Sequence, residues 1–219
     1  MTFYENMNLD EWLLWHQQHV LGCPVNGSKR HKSKMHWRGV EMIKSPLDLQ
    51  VYQEIIHETN PSIIIELGTY RGGSTMYLAD VMQAKHPMGL VIGVDHRACA
   101  IKHPNVRHVV GNTTDQAAIS RVLQWIRPTD RVMVIQDADH SIQGVYDDLV
   151  RWSPLVTEGC YFIVEDGATS FIKGKPKSRG GPLGGIDKFL LEDDHFKIDK
   201  SREKYIITYN PDGFLRKIS

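Results

Sequence analysis

The apolar positions of this chain fall into two alternating rhythms. Short runs rich in β-branched residues recur at about 62–66, 90–94, 106–110, 131–136 and 160–164. Between them lie longer stretches whose apolar residues return every three to four positions. Continuous apolar runs suit strands covered on both faces, so the pattern predicts a parallel sheet with crossover helices. Ser45-Pro46-Leu47-Asp48 marks a helix start: a capping hydroxyl, a proline at the first helical position and an acid three residues after the cap. Leu47, Val51, Tyr52, Ile55 and Ile56 then share one stripe. YIITYNPDGFLRKI reads as two strand-like runs joined by Asn210-Pro211-Asp212-Gly213, a hairpin that would insert a reversed strand. The expected fold is α/β, a Rossmann-like three-layer α/β/α sandwich of about seven strands with the last antiparallel.

Before Ser45 the character differs. NGSKRHKSKMHWRG is basic, polar and without periodicity, and reads as a loop preceded by a short helix around Leu9 to His19. Residues 1–44 are therefore expected to be a helix-and-loop extension, and 45–219 the main domain. The basic cluster could hold an anion, but a solvated loop explains it as well.

Length and charge narrow the function. A chain of 219 residues supports one well-buried domain. Its 26 basic residues offset 26 acidic ones, without the basic excess that duplex nucleic-acid binders use to release counterions. Cys23, Cys99 and Cys160 are widely spaced and form no paired motif, which fits a reducing compartment. MTFYENMNLDEWLLWHQQ is too acidic and interrupted for a signal peptide, and no run approaches the ~20 apolar residues of a membrane span. The expectation is a cytoplasmic protein with a small-molecule partner, no nucleic-acid or membrane partner, and a homo-oligomeric state.

In open α/β sheets ligands bind beyond the carboxyl ends of the strands, so the residues just after each apolar run carry the chemistry. They are Glu66 to Ser74, Asp95-His96, Gly111 to Asp115, Asp137 to Ser141, and Glu165-Asp166-Gly167. The first turn is not the pyrophosphate pattern GxGxxG, because Thr69, Tyr70 and Arg71 separate Gly68 from Gly72-Gly73. Taken alone, it could be a plain tight turn. Glu66 suits a cationic or hydroxyl-rich ligand, and Asp95 stands where an acid accepts hydrogen bonds from a ribose diol. Acids at both places favour a nucleoside carrying positive charge, and S-adenosylmethionine fits that description.

ELGTYRGGS, VDH and GNTTD resemble the cofactor-binding strand ends of class I methyltransferases. The resemblance implies that Glu66, Gly68, Gly72, Gly73 and Ser74 surround the methionine part, with Thr69 and Tyr70 on the same turn. It puts Asp95 at the ribose and Asn112 to Thr114, Thr113 among them, near the adenine, and counts His96 and Asp137 among the cofactor-binding residues.

Asp137, Asp139, Glu165 and Asp166 would repel one another side by side without a partner. A divalent cation is a natural partner, and carboxylates without cysteine favour magnesium, manganese or calcium over zinc. Helix capping is the alternative for Asp139 and Ser141, though not for the Glu165-Asp166 pair. A bound cation would lower the pKa of an acceptor hydroxyl and hold it in line with the sulfonium methyl. His140, with Asp139 beside it, could handle the proton; a silent structural role fits His140 equally.

Trp37-Arg38-Gly39, Lys44-Ser45-Pro46-Leu47-Asp48, IIELGTYRGGS, QDADHS, PLVTEGCYFIVEDG, GGPLGGIDKFL and NPDGFLRK together resemble the cephalosporin hydroxylase family, a group with the class I methyltransferase fold. Despite its name, that family is similar to magnesium-dependent O-methyltransferases, including ones acting on sugar hydroxyls of natural products. The resemblance implies metal ligands from the DADH segment, either Asp137 or Asp139, plus Glu165 and Asp166.

The reading that follows is S-adenosylmethionine- and metal-dependent methylation of a small-molecule hydroxyl. A hydroxylase is the alternative in the family's name, but none of the eleven histidines has the His-x-Asp or His-x-Glu spacing common in iron oxygenases. A non-catalytic partner subunit with the same fold is a third reading, which the acidic cluster disfavours. Ser170 to Gly185, rich in glycine and lysine, is expected to form a loop that could close as a lid, with Lys173, Lys175, Lys177 and Arg179 facing an anionic acceptor.

Overall fold

A computed structural model describes residues 8–23, 32–170, 180–205 and 207–219. Helix α1 (Leu9–His19) is followed by a two-stranded antiparallel hairpin, β1 (His36–Trp37) and β2 (Val40–Glu41). Then come α2 (Pro46–Thr59), β3 (Ile63–Leu67), α3 (Gly73–Gln83), β4 (Leu90–Asp95) and β5 (Val106–Val110). The second half holds α4 (Gln116–Leu123), β6 (Val132–Gln136), α5 (Ile142–Trp152), β7 (Tyr161–Val164), α6 (Gly181–Leu190), β8 (Phe196–Ile198) and β9 (Phe214–Lys217).

Strands β3 to β9 form one seven-stranded sheet in the order β5-β4-β3-β6-β7-β9-β8. All neighbours from β5 to β7 are parallel, and β9 runs antiparallel to both β7 and β8. Every residue of β3 and β6 is buried, which accounts for their unbroken apolar pattern. The pleat sends Ile63, Ile65 and Leu67 into a core under α4, α5 and α6. Ile64 goes to the opposite core, under α2 and α3. This is the three-layer sandwich expected, with its reversed strand. The chain winds outward from β3 to β5 and then returns to β6, so the β3–β6 boundary is the topological switch point where such sheets bind ligands.

Two expectations need correction. The reversed strand does not pair with a strand at residues 205–209; its hairpin partner is β8, reached through a long connection. Thr208 and Tyr209 are diverted because Asp48, buried on α2, accepts the Thr208 hydroxyl at 2.6 Å and the Tyr209 N–H at 3.0 Å. Gly181 to Gly185, read as the end of a loop, is instead the first half of α6, started by Pro182 in its first turn. Residues 171–179 of the expected lid, including Lys173, Lys175, Lys177 and Arg179, lie outside the described residues, as do 26–31 of the basic segment.

Helix α1 begins with a capping box between Asn8 and Glu11. Its Leu13 and Leu14 pack on Leu21, Ala168 and Tyr209, and the Tyr209 hydroxyl donates to the Leu13 carbonyl at 3.0 Å. No helix among the described residues is long and apolar enough to cross a membrane.

Candidate active site

The turn after β3 is built on backbone torsions few side chains tolerate. Gly68 and Gly72 have φ of 87° and 86°, and Tyr70 has φ of 49°. At Gly68 there is a second constraint, since a Cβ there would overlap the carbonyl oxygen of Asp137. The turn after β3 and the end of β6 are therefore pressed together across the switch point, and the Asp137 N–H bonds to the Leu67 carbonyl at 2.7 Å.

Two acids flank this turn. Glu66 is fully buried and accepts the Thr75 hydroxyl through Oε2, while its Oε1 has no hydrogen-bond partner. Burial pushes its carboxyl up. Asp95 accepts the N–H groups of Thr69 at 2.9 Å, Tyr70 at 3.1 Å and Arg97 at 2.9 Å. Burial opposes its charge, but those N–H groups hold the carboxyl below the ordinary range. Ser74 and Thr75 lie buried in the first turn of α3. His96 is exposed, with Nδ1 3.2 Å from Asp95. Farther along the rim, the Asn112 side chain accepts the N–H and hydroxyl of Thr114. Thr113 is buried, and its carbonyl accepts the Trp152 indole at 2.9 Å.

Beyond the turn, three acids from two strand ends meet two cations. Asp137 divides its carboxylate: Oδ2 accepts Lys44 at 2.5 Å, and Oδ1 lies 3.3 Å from His140 Nε2. His140 Nδ1 is 3.6 Å from Asp166 Oδ2. Ligand atoms of Asp137, His140 and Asp166 all lie within 4.8 Å of one another, close enough to hold one ion. Glu165 gives Oε2 to Lys44 at 2.6 Å and leaves Oε1, buried, without a partner.

These groups tune each other. Burial works against the Lys44 charge, but Asp137 and Glu165 outweigh it and keep the amine firmly protonated. Burial also opposes the Asp137 charge, which Lys44 and His140 restore, so its carboxyl falls below the ordinary range. Glu165 is pushed well up, mainly by burial, and Asp166 is pushed up by burial and by Asp137. At His140 burial is outweighed by the hydrogen bond to Asp137 and the charge of Asp166, and the imidazole rises to about 9.

Asp166 is held in the left-handed region, φ 60°. Its N–H donates to the Asn210 side chain at 3.2 Å, and Asn210 Nδ2 donates to the Tyr52 hydroxyl at 2.8 Å. Asn210 is 1% exposed.

Of the four acids expected at a metal, the structure brings Asp137 and Asp166 together with His140, sets Glu165 beside them against Lys44, and takes Asp139 elsewhere. Asp139 is exposed; its carboxylate accepts the Ser141 N–H at 2.7 Å and lies over Gly144 at the start of α5. Ser141 is the N-cap of that helix. The correction is physical: two residues past the strand the chain is already turning into α5, and the free N–H groups there claim the side chain. The same geometry commits the Asp139 carboxylate to the Ser141 N–H rather than to His140.

Lys44 and Asn210 are site residues that the sequence reading did not single out. Both stand inside quoted motifs, KSPLD and NPDG, and a lysine directly before the helix-capping Ser45 was the available signal for the first.

The model of the rhamnosyl O-methyltransferase/CmcI family matches residues 29–218. A rhamnosyl O-methyltransferase of Mycobacterium tuberculosis is 35% identical over 195 residues, covering 84% of this chain and 78% of its own length. The protein of the same name from Mycobacterium leprae is 30% identical over 186 residues, covering 82% and 81%. Among solved structures, CmcI with magnesium and S-adenosylmethionine aligns with a TM-score of 0.65 at 24% identity, covering 98% of this chain and 86% of its own. The MycE methyltransferase of the mycinamycin biosynthetic pathway, solved with magnesium, S-adenosylhomocysteine and mycinamycin VI, gives 0.56 at 19% identity, covering 76% and 48%. The two structures share the class I methyltransferase fold seen here. With a match running from just before the hairpin to the end of β9, the chain belongs to the rhamnosyl O-methyltransferase/CmcI family.

Proposed function

We propose that this protein is an S-adenosylmethionine- and divalent-metal-dependent O-methyltransferase acting on a hydroxyl of a small molecule, a sugar or a sugar-bearing natural product. The observation that carries the reading is the contact at the switch point: the turn that suits a cationic nucleoside backs directly onto Asp137, the acid shared by Lys44 and His140. The relatives named rhamnosyl O-methyltransferases support a sugar hydroxyl as acceptor.

The residues fit both groups. Glu66 Oε1 is a buried acceptor without a donor, as an amino group beside it would require, and the Asp95 carboxylate is already oriented at the β4 end. For the metal, Glu165 Oε1 is a second buried acceptor without a donor, beside the Asp137–Asp166 pair. Asp137, Asp166 and Glu165 would hold the ion, an all-oxygen set suited to magnesium or manganese. When bound, S-adenosylmethionine supplies a methyl already activated on sulfur, and the metal supplies charge that lowers the pKa of the acceptor hydroxyl.

The chain's own groups do the rest. The Gly68–Gly72 turn and Asp95 would hold and orient the nucleoside, next to the acids on the other side of the switch point. His140, kept protonated by Asp137 and Asp166, would become neutral once an ion held by those two carboxylates offsets their charge, and the neutral imidazole would take the hydroxyl proton.

Calorimetric titration with S-adenosylmethionine and with NAD, each with and without magnesium, tests the cofactor. Binding of the first and not the second is expected; no binding of S-adenosylmethionine sinks the reading. Incubation with rhamnosides, other deoxysugar glycosides and phenols, followed by mass spectrometry for one added methylene, then identifies the acceptor class.

A further inference from the structure

Lys44 reaches the acids from far away in the chain, 93 and 121 positions before Asp137 and Glu165. Its side chain is 4% exposed, and a lysine is seldom so buried unless paired. One carboxylate would pair it. Here it takes one oxygen from each of two, and these are acids expected to hold a divalent ion. The second oxygens are divided: Asp137 Oδ1 faces His140, and Glu165 Oε1 is buried and unpartnered.

We propose that Lys44 is an internal cation of the centre, sharing Asp137 and Glu165 with the divalent ion and so restraining that ion's affinity while it stabilises the metal-free fold. The proposal rests on the metal reading above. Three carboxylates, Asp137, Glu165 and Asp166, are gathered where burial penalises each charge. Without metal, Lys44 and His140 are the cations in contact with them, and losing Lys44 would leave the buried Glu165 carboxylate without an ion pair among the described residues, beside only the Tyr52 hydroxyl. With metal, the fixed ammonium stands one carboxylate away from a doubly charged ion, and the low-dielectric surroundings strengthen the repulsion between them. Both effects come from the same placement and have opposite signs. A plain structural strut would show only the first.

The test compares wild type with Lys44→Met, Lys44→Gln and Lys44→Arg, using Mn2+ alone in calorimetry and thermal melting in chelator. In the two neutral variants the Mn2+ dissociation constant is expected to fall at least tenfold. Their melting midpoint in chelator should drop by about 10 °C, a loss that shrinks on adding Mn2+. Lys44→Arg, which keeps the charge, should bind Mn2+ within about threefold of wild type. Lys44→Gln keeps hydrogen-bonding atoms and is purified with Mn2+ present, which supplies the missing charge if Lys44→Met does not fold. Neutral variants that bind Mn2+ as wild type does, or more weakly, overturn the role of Lys44 and leave the metal assignment standing. A wild-type protein that binds S-adenosylmethionine but no Mn2+ overturns both.

Discussion

The Asn210 side chain accepts the Asp166 backbone N–H at 3.2 Å, binding the chain just before β9 to the end of β7 at the point where Asp166 takes its left-handed torsion. An aspartate in that region pays for it in backbone strain, of the order of 1–2 kcal/mol, so a neighbour has to hold it there. Asn210 does so while its amide is fixed by Tyr52. Asn210→Ala is expected to weaken Mn2+ binding by about tenfold, at the low end for residues that orient metal ligands. S-adenosylmethionine affinity should change little, because the cofactor turn lies on β3. Calorimetry with each ligand separately checks both halves.

Gly68 couples the two halves of the site. Gly68→Ala adds a methyl where the Asp137 carbonyl already sits, at a φ of 87° that alanine resists. The torsion alone costs about 1–2 kcal/mol, and the overlap must be relieved by parting β3 from β6. Thermal melting should show the loss, and added S-adenosylmethionine should recover little of it.

Asp137 and Asp139, one residue apart from adjacency, should behave oppositely. Asp137→Asn is expected to abolish Mn2+ binding at concentrations that saturate wild type. Asp139→Asn should leave Mn2+ affinity unchanged and cost at most about 1 kcal/mol of stability, since an asparagine oxygen can still accept the Ser141 N–H just before α5. Equal loss of metal binding in both variants would contradict the placement of Asp139.

A pH dependence follows from Asp148, buried on α5 beside Gln136 and with Oδ1 unpartnered. Burial raises its carboxyl to about 6. Because the folded value exceeds the unfolded one, near 3.9, the native state holds the extra proton between them. Stability from this group is full below about pH 4 and is lost as the pH rises through 6. Asp148→Asn removes the penalty, so it should stabilise the protein at pH 7.5 by about 1–3 kcal/mol. The advantage should shrink towards pH 5 in denaturant titrations of the two proteins run side by side.

The sheet was legible because β3, β6 and β7 are buried on both faces, and that condition writes itself as Ile63 to Leu67, Val132 to Ile135 and Tyr161 to Val164. Strand ends were legible for the same reason: where the apolar run stops, the rim begins. What lay beyond reach was direction. Position alone leans towards Asp137, which ends the strand, and leaves helix capping open to Asp139, but only the fold shows Asp139 answering the Ser141 N–H. Lys44 was harder still, since its partners are more than ninety positions away and only the packing of the hairpin and α2 against the sheet brings it to them. The strand misread at 205–209 failed through Asp48, an acid credited to the helix cap that instead captures Thr208 and Tyr209.

The reversed strand has a consequence for how this protein comes into being. Because β9 lies beside β7, Asn210 reaches the Asp166 loop only after that part of the chain has been made and has turned back into the sheet. A chain still emerging from the ribosome with Asp166 free and Asn210 not yet out already carries every carboxylate of the centre, but not the strut that sets one of them in place. Newly made molecules should therefore acquire their cofactor grip before their metal grip, an order that pulse-labelled chains arrested at successive lengths would reveal.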